Sequence, residues 1–187
     1  QLVGYAADAG GAHYSPEYDA VLATGEQVTA GLLALCLQEM GIQSRSWLGW
    51  QLPIRTDGVH GRARIEAIET EGLEETFAAG GVPVIAGFQG LGPDGRVTTL
   101  GRGGTDTTAV AVAAALDAER CDIYTDVDGV YTADPRIVAN ARKLDKITYE
   151  EMLEMASLGA KVLQTRAVEM AMKTRQRIHV RTSYSDV

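Results

Sequence analysis

Apolar residues recur at helical spacing early in the chain, and they predict a long helix. This spacing runs through Val21, Leu22, Val28, Leu32, Leu35 and Met40. Ser15 before Pro16 is typical of a helix start, with the serine as N-cap and the proline as the first helical residue. Gly41 predicts the end of the helix. Thr24-Gly25 lies inside this stretch and marks a candidate break.

Further along the chain, predicted strands alternate with predicted helices. Strands are expected at residues 42–48, 62–68, 82–86, 96–100, 121–126 and 178–182. Helices are expected at 73–79, 107–116 and 162–173, and another begins at the Thr148–Glu151 capping box. Residues 49–61 are interpreted as a polar loop. The run at 82–86 is apolar throughout, which is typical of a strand buried on both faces.

This alternation predicts the α/β class, as a three-layer αβα sandwich with a mostly parallel central sheet. In such sheets ligands bind at the carboxyl ends of the strands. The loops after the strands that end near residues 89, 100 and 126 are therefore candidate sites.

Composition limits the function classes. The chain has 187 residues, of which 45% are hydrophobic, enough for one domain without disulfides or structural metal. A net charge of −8 disfavours nucleic-acid binding. No uninterrupted run reaches the roughly 18 apolar residues of a membrane span, and no signal peptide is visible after Gln1. We expect no nucleic-acid or membrane partner. Cys36 and Cys121 are expected to be buried thiols in a reducing, cytoplasmic setting.

Charge is unevenly distributed. Residues 1–41 contain five acidic residues and no Lys or Arg, whereas residues 136–181 contain ten basic and five acidic residues. The basic stretch is either a solvated helix face or a surface that meets polyphosphate, and the sequence leaves both open.

The strongest candidate for chemistry is residues 98–106, Thr-Thr-Leu-Gly-Arg-Gly-Gly-Thr-Asp. Three glycines between a predicted strand and a predicted helix let backbone N–H groups approach an anion. Arg102 can hold a carboxylate or phosphate through two parallel hydrogen bonds, and Asp106 adds a carboxylate. The alternative is a plain turn in which Thr105 or Asp106 caps the helix. The spacing fits neither a P-loop nor a dinucleotide fingerprint.

A second candidate is the loop at residues 124–136, which contains three aspartates, two tyrosines and Arg136. This composition suits a nucleotide base and its phosphates. A calcium loop fails, because Pro135 stands where a bidentate glutamate is needed. A turn-rich crossover is the structural alternative.

Single charged residues carry weaker indications. Lys161 could pair with phosphate or be solvated, and Glu26 could bind an ammonium group or be solvated. The three histidines, His13, His60 and His179, have no partner at catalytic spacing. Nucleophilic hydrolase and zinc protease interpretations therefore lack support.

Taken in order, these segments resemble aspartate kinases, a branch of the amino acid kinase superfamily. The matching stretches are 23–27, 48–51, 84–90, 98–106, 125–136, 149–154, 158–163 and 180–183. The Gly-Phe-Gln-Gly and Leu-Gly-Arg-Gly-Gly-Thr-Asp elements favour this branch over kinases of glutamate, acetylglutamate, carbamate or uridylate. Many relatives have His-Pro where this chain has Gln164-Thr165, which we interpret as lineage variation.

The resemblance implies the amino acid kinase fold and ATP-dependent phosphorylation of the side-chain carboxylate of L-aspartate. The implied substrate-binding residues are Glu26, Arg102, Gly103, Gly104 and Thr105, and the implied catalytic residues are Arg102 and Asp106. The implied ATP-binding residues are Thr125, Asp126, Tyr131, Asp134, Arg136 and Lys161. Mg²⁺ is implied between the phosphates, without a metal site made of protein ligands.

The resemblance also implies a homodimer in the cytoplasm, and a partial catalytic domain over residues 1–187. A preceding strand with a Lys-Phe-Gly-Gly-Thr-Ser loop and following ACT regulatory domains are expected outside these residues. Two alternatives stay open: a sister amino acid kinase, or a non-catalytic fragment that binds aspartate or nucleotide.

Overall fold

The computed structural model describes residues 1–10, 14–160 and 162–184. The chain forms two compact units, the first covering residues 1–108 and the second beginning at residue 109. The elements of the first unit are α1 (Leu2–Asp8), α2 (Pro16–Glu39), β1 (Ser44–Trp47), β2 (Ile54–Thr56), β3 (Ile65–Ile68), α3 (Glu71–Ala78), β4 (Val82–Ile85), β5 (Gln89–Leu91), β6 (Val97–Thr99) and the start of α4 (Gly104–Ala115). The second unit continues α4 and adds β7 (Cys121–Thr125), α5 (Tyr149–Ser157), α6 (Thr165–Thr174) and β8 (Ile178–Thr182).

Helix α2 begins and ends where the sequence predicts. Ser15 Oγ accepts a hydrogen bond from the Tyr18 backbone N–H at 3.2 Å, and Pro16 is the first helical residue. Gly41 follows the helix with a φ of +80°. The helix continues through Thr24-Gly25, so the candidate break is wrong. An interior glycine costs only about 1 kcal/mol relative to alanine, which the packing of a long helix offsets.

The inner face of α2 packs closely because its residues are small. Ala30 and Ala34 are buried in one cluster with Val84 of β4 and with Ala86, which directly follows the strand. Small side chains let the helix axis approach the strands. This face brings the middle of α2 next to the carboxyl end of β4.

The outer face of α2 is apolar and exposed. Val28, Leu32 and Leu35 are 56–62% exposed. Among the described residues, α2 is long and apolar enough to cross a membrane by length and composition, although the sequence shows no uninterrupted span. A core helix of a globular unit meets the same criteria, and the inner face of α2 is packed on β4.

The described residues of the first unit form two sheets. Strands β1 and β4 pair in parallel, with Ser44 opposite Val82. The other sheet has the order β3-β2-β5-β6, in which β5 and β6 form an antiparallel hairpin. The predicted Pro-Asp-Gly turn joins them, with Gly95 at a φ of +76°. Strand β2 falls inside the predicted polar loop, because three residues are too few to show an alternating pattern.

The expectation for residues 82–86 is only partly confirmed. Val84 and Ala86 are buried, but Val82 is 41% exposed. Among the described residues β4 pairs with β1 alone, so one of its edges has no strand neighbour. An apolar run shows a preference for burial, whereas the neighbours decide how much burial occurs.

The second unit is built on β7 and β8. They pair in parallel, in register from Cys121 opposite Ile178 to Thr125 opposite Thr182. Met152 of α5 and Val168 of α6 are buried in the core of this unit. The α/β class with parallel strand pairs is confirmed. The described strands fall into three sheets rather than one.

The two cysteines differ. Cys121 is buried as predicted, but Cys36 is exposed, so the prediction for Cys36 is wrong. Cys36 follows buried Ala34 by two residues, and two residues rotate a helix by about 200°, away from the inner face.

The capping box that opens α5 is confirmed. Thr148 Oγ1 accepts a hydrogen bond from the Glu151 backbone N–H at 3.2 Å, and Glu151 Oε2 accepts one from the Thr148 backbone N–H at 3.0 Å. The hydrogen bonds from Thr148 lower the pKa of Glu151.

Candidate active site

The Gly-rich loop between β6 and α4 needs glycine at several positions. Gly101 and Gly103 have φ values of +78° and +70°, which disfavour side-chain-bearing residues. A Cβ on Gly104 would lie 2.8 Å from Phe88 Cδ2 and 2.9 Å from Leu100 Cβ. The loop therefore brings backbone without side chains to the N-terminus of α4, where the N–H groups favour binding of an anion.

The segment after β4 packs against the same helix start. The Phe88 backbone N–H donates to Thr108 Oγ1 at 3.1 Å. A Cβ on Gly87 would lie 3.1 Å from Thr105 Cγ2. The Leu100 backbone N–H donates to the Phe88 carbonyl at 2.9 Å. The end of β4, the β5–β6 hairpin and the start of α4 thus meet at one place, as the sequence predicts for a ligand site.

Two charged side chains at this place have no partner among the described residues. Within those parts of the chain, neither Arg102 nor Asp106 makes a hydrogen bond or ion pair. Arg102 is exposed, and Asp106 is half-buried. Burial raises the pKa of Asp106. Arg102 is thus available to an anionic ligand, and Asp106 to a cationic group.

Glu26 is held near the start of the β5–β6 hairpin through its neighbour in α2, Gln27. Gln27 Nε2 donates to Gln89 Oε1 at 3.0 Å, and Gln89 Nε2 donates to the Ala23 carbonyl at 3.1 Å. Gln89 is fully buried at the start of β5. The helical turn that contains half-buried Glu26 is therefore fixed against the strand that leads into the hairpin.

Sequence reasoning missed a buried carboxylate in the first unit. Asp19 is fully buried, and His60 Nδ1 lies 2.8 Å from its Oδ2. This overturns the expectation that His60 has no partner. That expectation considered only spacing along the sequence, whereas Asp19 and His60 are 41 positions apart. The available indication of this buried carboxylate was the position of Asp19, an acid on the inner face of a predicted helix.

In the second unit, the predicted nucleotide residues other than Lys161 lie at the end of β7 and in the loop that follows it. Thr125 Oγ1 donates to Asp126 Oδ1 at 3.2 Å. Arg136 Nη2 contacts Asp134 Oδ2 at 2.8 Å, and this hydrogen bond and charge lower the pKa of Asp134. The Tyr131 hydroxyl donates to both carboxylate oxygens of Asp128 at 3.1 Å.

That loop is closed by a return segment. The Thr132 backbone N–H donates to the Arg142 carbonyl at 2.9 Å, and Lys143 Nζ lies 3.5 Å from Asp128 Oδ2. Sequence reasoning missed Asp128 and Lys143 as partners within the loop. Lys161 lies outside the described residues.

A cleft of about 630 Å³ in the second unit lies beside β8, and none of the nucleotide candidates among the described residues lines it. It is lined by apolar side chains and by basic ones from the basic stretch, including Lys143, Lys146 and Arg177. The loop after β7 is the better nucleotide candidate, because its residues come from the carboxyl end of a parallel strand.

A metal site made only of protein ligands is absent from the described residues. They contain no group of three or more His, Cys, Asp or Glu side chains able to hold a metal ion. Mg²⁺ commonly takes one or two carboxylates and completes its shell with phosphates and water. The donor set therefore fits an ion that arrives with a nucleotide, rather than an ion held by protein alone.

Comparison with known proteins gives consistent matches. A sequence model of the amino acid kinase family matches residues 3–182. Aspartokinase of Rickettsia felis is 56% identical over 169 residues, covering 90% of this chain and 42% of that protein. Aspartokinase 2 of Bacillus subtilis is 56% identical over 167 residues, covering 89% of this chain and 41% of that protein.

Solved structures agree. The crystal structure of E. coli aspartokinase III in complex with aspartate and ADP superposes with a TM-score of 0.79 at 35% identity. The match covers 97% of this chain and 41% of that one. The chain thus spans about two fifths of the length of these aspartokinases.

Proposed function

Because the chain belongs to the amino acid kinase family, we propose that it forms part of the catalytic domain of an aspartate kinase. The reaction transfers the γ-phosphoryl group of ATP to the side-chain carboxylate of L-aspartate, giving 4-phospho-L-aspartate, the first step towards lysine, threonine and methionine. The observation that carries the proposal is the Gly-rich start of α4 with Arg102 and Asp106 unpaired among the described residues, in a chain so similar to aspartokinases.

Aspartate binding is assigned to the first unit. The Arg102 guanidinium suits the α-carboxylate, because it can donate two parallel hydrogen bonds. Glu26 suits the α-ammonium group. Backbone N–H groups at Gly103, Gly104 and Thr105 suit a carboxylate at the helix N-terminus.

Asp106 is proposed to stand beside the reacting centre. Phosphoryl transfer needs positioning and neutralisation of charge more than covalent participation by the protein. An acid in the first turn of α4 can orient a cationic catalytic group supplied by the preceding motif that the resemblance implies. This assignment makes Asp106 and Arg102 the catalytic pair.

Nucleotide binding is assigned to the second unit, at Thr125, Asp126, Tyr131, Asp134, Arg136 and Lys161. Arg136 is held by Asp134 and can exchange that partner for a phosphate at little cost, because the pair is exposed. The ADP in the complex of E. coli aspartokinase III supports the nucleotide class. Mg²⁺ bound with ATP would neutralise phosphate charge.

The test is ATP-dependent aspartyl hydroxamate formation by the complete protein that carries these residues. Arg102→Gln is expected to raise the KM for aspartate by roughly 10- to 100-fold, the effect of losing a charge-assisted hydrogen bond. Arg64→Gln is the control, because Arg64 is also exposed but lies just before β3. Activity on glutamate, acetylglutamate or UMP but not aspartate would favour a sister kinase. Binding of aspartate or ADP without turnover would favour a non-catalytic role.

A homodimer and a cytoplasmic location are proposed with this function. The apolar outer face of α2 supports self-association. Cytoplasmic ATP and aspartate are the substrates that the activity requires.

A further inference from the structure

Asp19 is the fully buried acid that the proposed reaction does not use, and its carboxylate is densely hydrogen-bonded. It accepts from the Thr99 backbone N–H at 2.9 Å and from the Thr99 hydroxyl. It also accepts from the Gly61 backbone N–H at 3.0 Å, and His60 Nδ1 lies 2.8 Å away. Since a carboxylate can only accept, His60 carries the proton on Nδ1 in this contact.

These hydrogen bonds join three segments at the base of the Gly-rich loop. Thr99 is the last residue of β6, and the loop begins at the next residue. The Thr99 carbonyl accepts a hydrogen bond from the Ala63 backbone N–H at 2.9 Å. A Cβ on Gly101 would lie 2.8 Å from the Gly61 carbonyl oxygen, so the loop rests directly on the segment that Asp19 holds.

Asp19 also shares a helix face with Glu26. The two residues are seven positions apart in α2, which is two turns, so their side chains project from the same side. The Asp19 carboxylate thus fixes the start of the Gly-rich loop, which contains Arg102, relative to helix α2, which contains Glu26. Glu26 and Arg102 are the proposed side-chain contacts of the ammonium and α-carboxylate groups of aspartate.

We propose that Asp19 is a positioning residue for aspartate binding, which sets the spacing between Glu26 and Arg102 without touching the substrate. This inference rests on the proposed function. A spacing fixed by buried hydrogen bonds would matter most for a small substrate held at both its ammonium and its carboxylate.

The isosteric change Asp19→Asn removes this function because of donor geometry. Both carboxylate oxygens accept hydrogen bonds, Oδ1 from Gly61 and Thr99 and Oδ2 from Gly61, Thr99 and His60. An amide offers one oxygen and a donating NH₂ group. Either orientation of the asparagine therefore directs a donor at other donors, and buried partners are left unsatisfied.

The experiment measures KM for aspartate and for ATP separately, in the complete protein. Asp19→Asn is expected to raise the KM for aspartate on the order of tenfold or more and that for ATP by less than about twofold. Thr99→Val gives a second variant that keeps the carboxylate. Thr98→Val is its matched control, because Thr98 is equally buried on the same strand but its hydroxyl pairs with Thr56 at 2.7 Å.

The outcomes separate the two proposals. A rise in the KM for aspartate with Thr99→Val but not with Thr98→Val supports the positioning role, even where Asp19→Asn fails to fold. Equal effects of the two valine variants, or equal effects on both substrates, would overturn it and leave Asp19 a structural residue. If the unmodified protein does not phosphorylate aspartate, the proposed function is wrong, and the positioning role that rests on it falls with it.

Discussion

Asp106 stands in the first turn of α4, half-buried, with no hydrogen-bond partner in the described parts of the chain. Burial disfavours its ionised form and raises its pKa above the ordinary value of 3.8. The folded state thus holds this proton more tightly than the unfolded state does. The free energy of unfolding therefore falls as pH rises from the ordinary pKa through the raised one.

Asp106→Asn is accordingly expected to stabilise the chain at pH 7 while abolishing activity. The expected rise in Tm is about 1–3 °C, since the site is partly solvated. The gain should shrink as pH falls through the raised pKa and disappear below 3.8, where the wild-type acid becomes protonated in both states. Thermal unfolding followed by circular dichroism at several pH values measures it. A lower Tm for the variant at pH 7 would contradict this account.

At the scale of elements, the start of α4 depends on close approach rather than on helix propensity. Gly104→Ala adds a methyl group within 2.8–2.9 Å of Phe88 and Leu100, so the loop must shift. We expect reduced turnover and a higher KM for aspartate. The control is Gly31→Ala in α2, where a Cβ meets nothing within 4 Å. That variant should instead gain about 0.5–1 kcal/mol of stability with unchanged kinetics. Identical behaviour of the two variants would refute the close-approach argument.

The N-termini of α3 and α5 offer a second comparison between elements. Thr148 caps α5 through its hydroxyl, whereas the Thr70 hydroxyl at the start of α3 donates to Glu74 and caps nothing. Thr148→Ala should lower the free energy of unfolding by about 1 kcal/mol, and Thr70→Ala by clearly less. Chemical denaturation of both variants measures this difference. A larger loss for Thr70→Ala would show that capping does not control the stability of α5.

For the whole molecule, the exposed apolar face of α2 favours self-association despite an excess of negative charge in the first unit. The first unit contains six Lys or Arg residues against thirteen Asp or Glu residues. Its helix α2 nevertheless presents Val28, Leu32 and Leu35 on an exposed face, within a stretch at residues 27–38 that carries no charged side chain. Exposed apolar faces of this kind favour association.

We therefore expect concentration-dependent association in sedimentation velocity experiments. The double variant Leu32→Glu and Leu35→Glu should abolish it, because it places charge on that face of α2. Ile137→Glu is the control, since Ile137 is 81% exposed in the second unit and the substitution likewise places charge on an exposed apolar position. A chain that is monomeric at all concentrations would exclude the α2 face as an interface. So would equal association of the double variant and the Ile137→Glu control.

The sequence by itself determined the features that depend on local chemistry. Ser15-Pro16 fixed the start of α2, and the Thr148–Glu151 pair fixed the start of α5. The alternation of Ile178 and Val180 with polar residues fixed β8, because caps and periodicity act within a few residues. The Gly-rich loop at the start of α4 was recognisable for the same reason. The roles of its residues, and those of the nucleotide loop, remain predictions.

Only the tertiary structure decided which distant residues meet. The pairing of Asp19 with His60 and Thr99 joins positions 41 and 80 residues apart, and no spacing rule connects them. The exposure of Val82 and Cys36, and the unbroken course of α2 through Gly25, likewise depend on neighbours. Local patterns express preferences of well under a few kcal/mol per residue, and packing against the rest of the chain outweighs them.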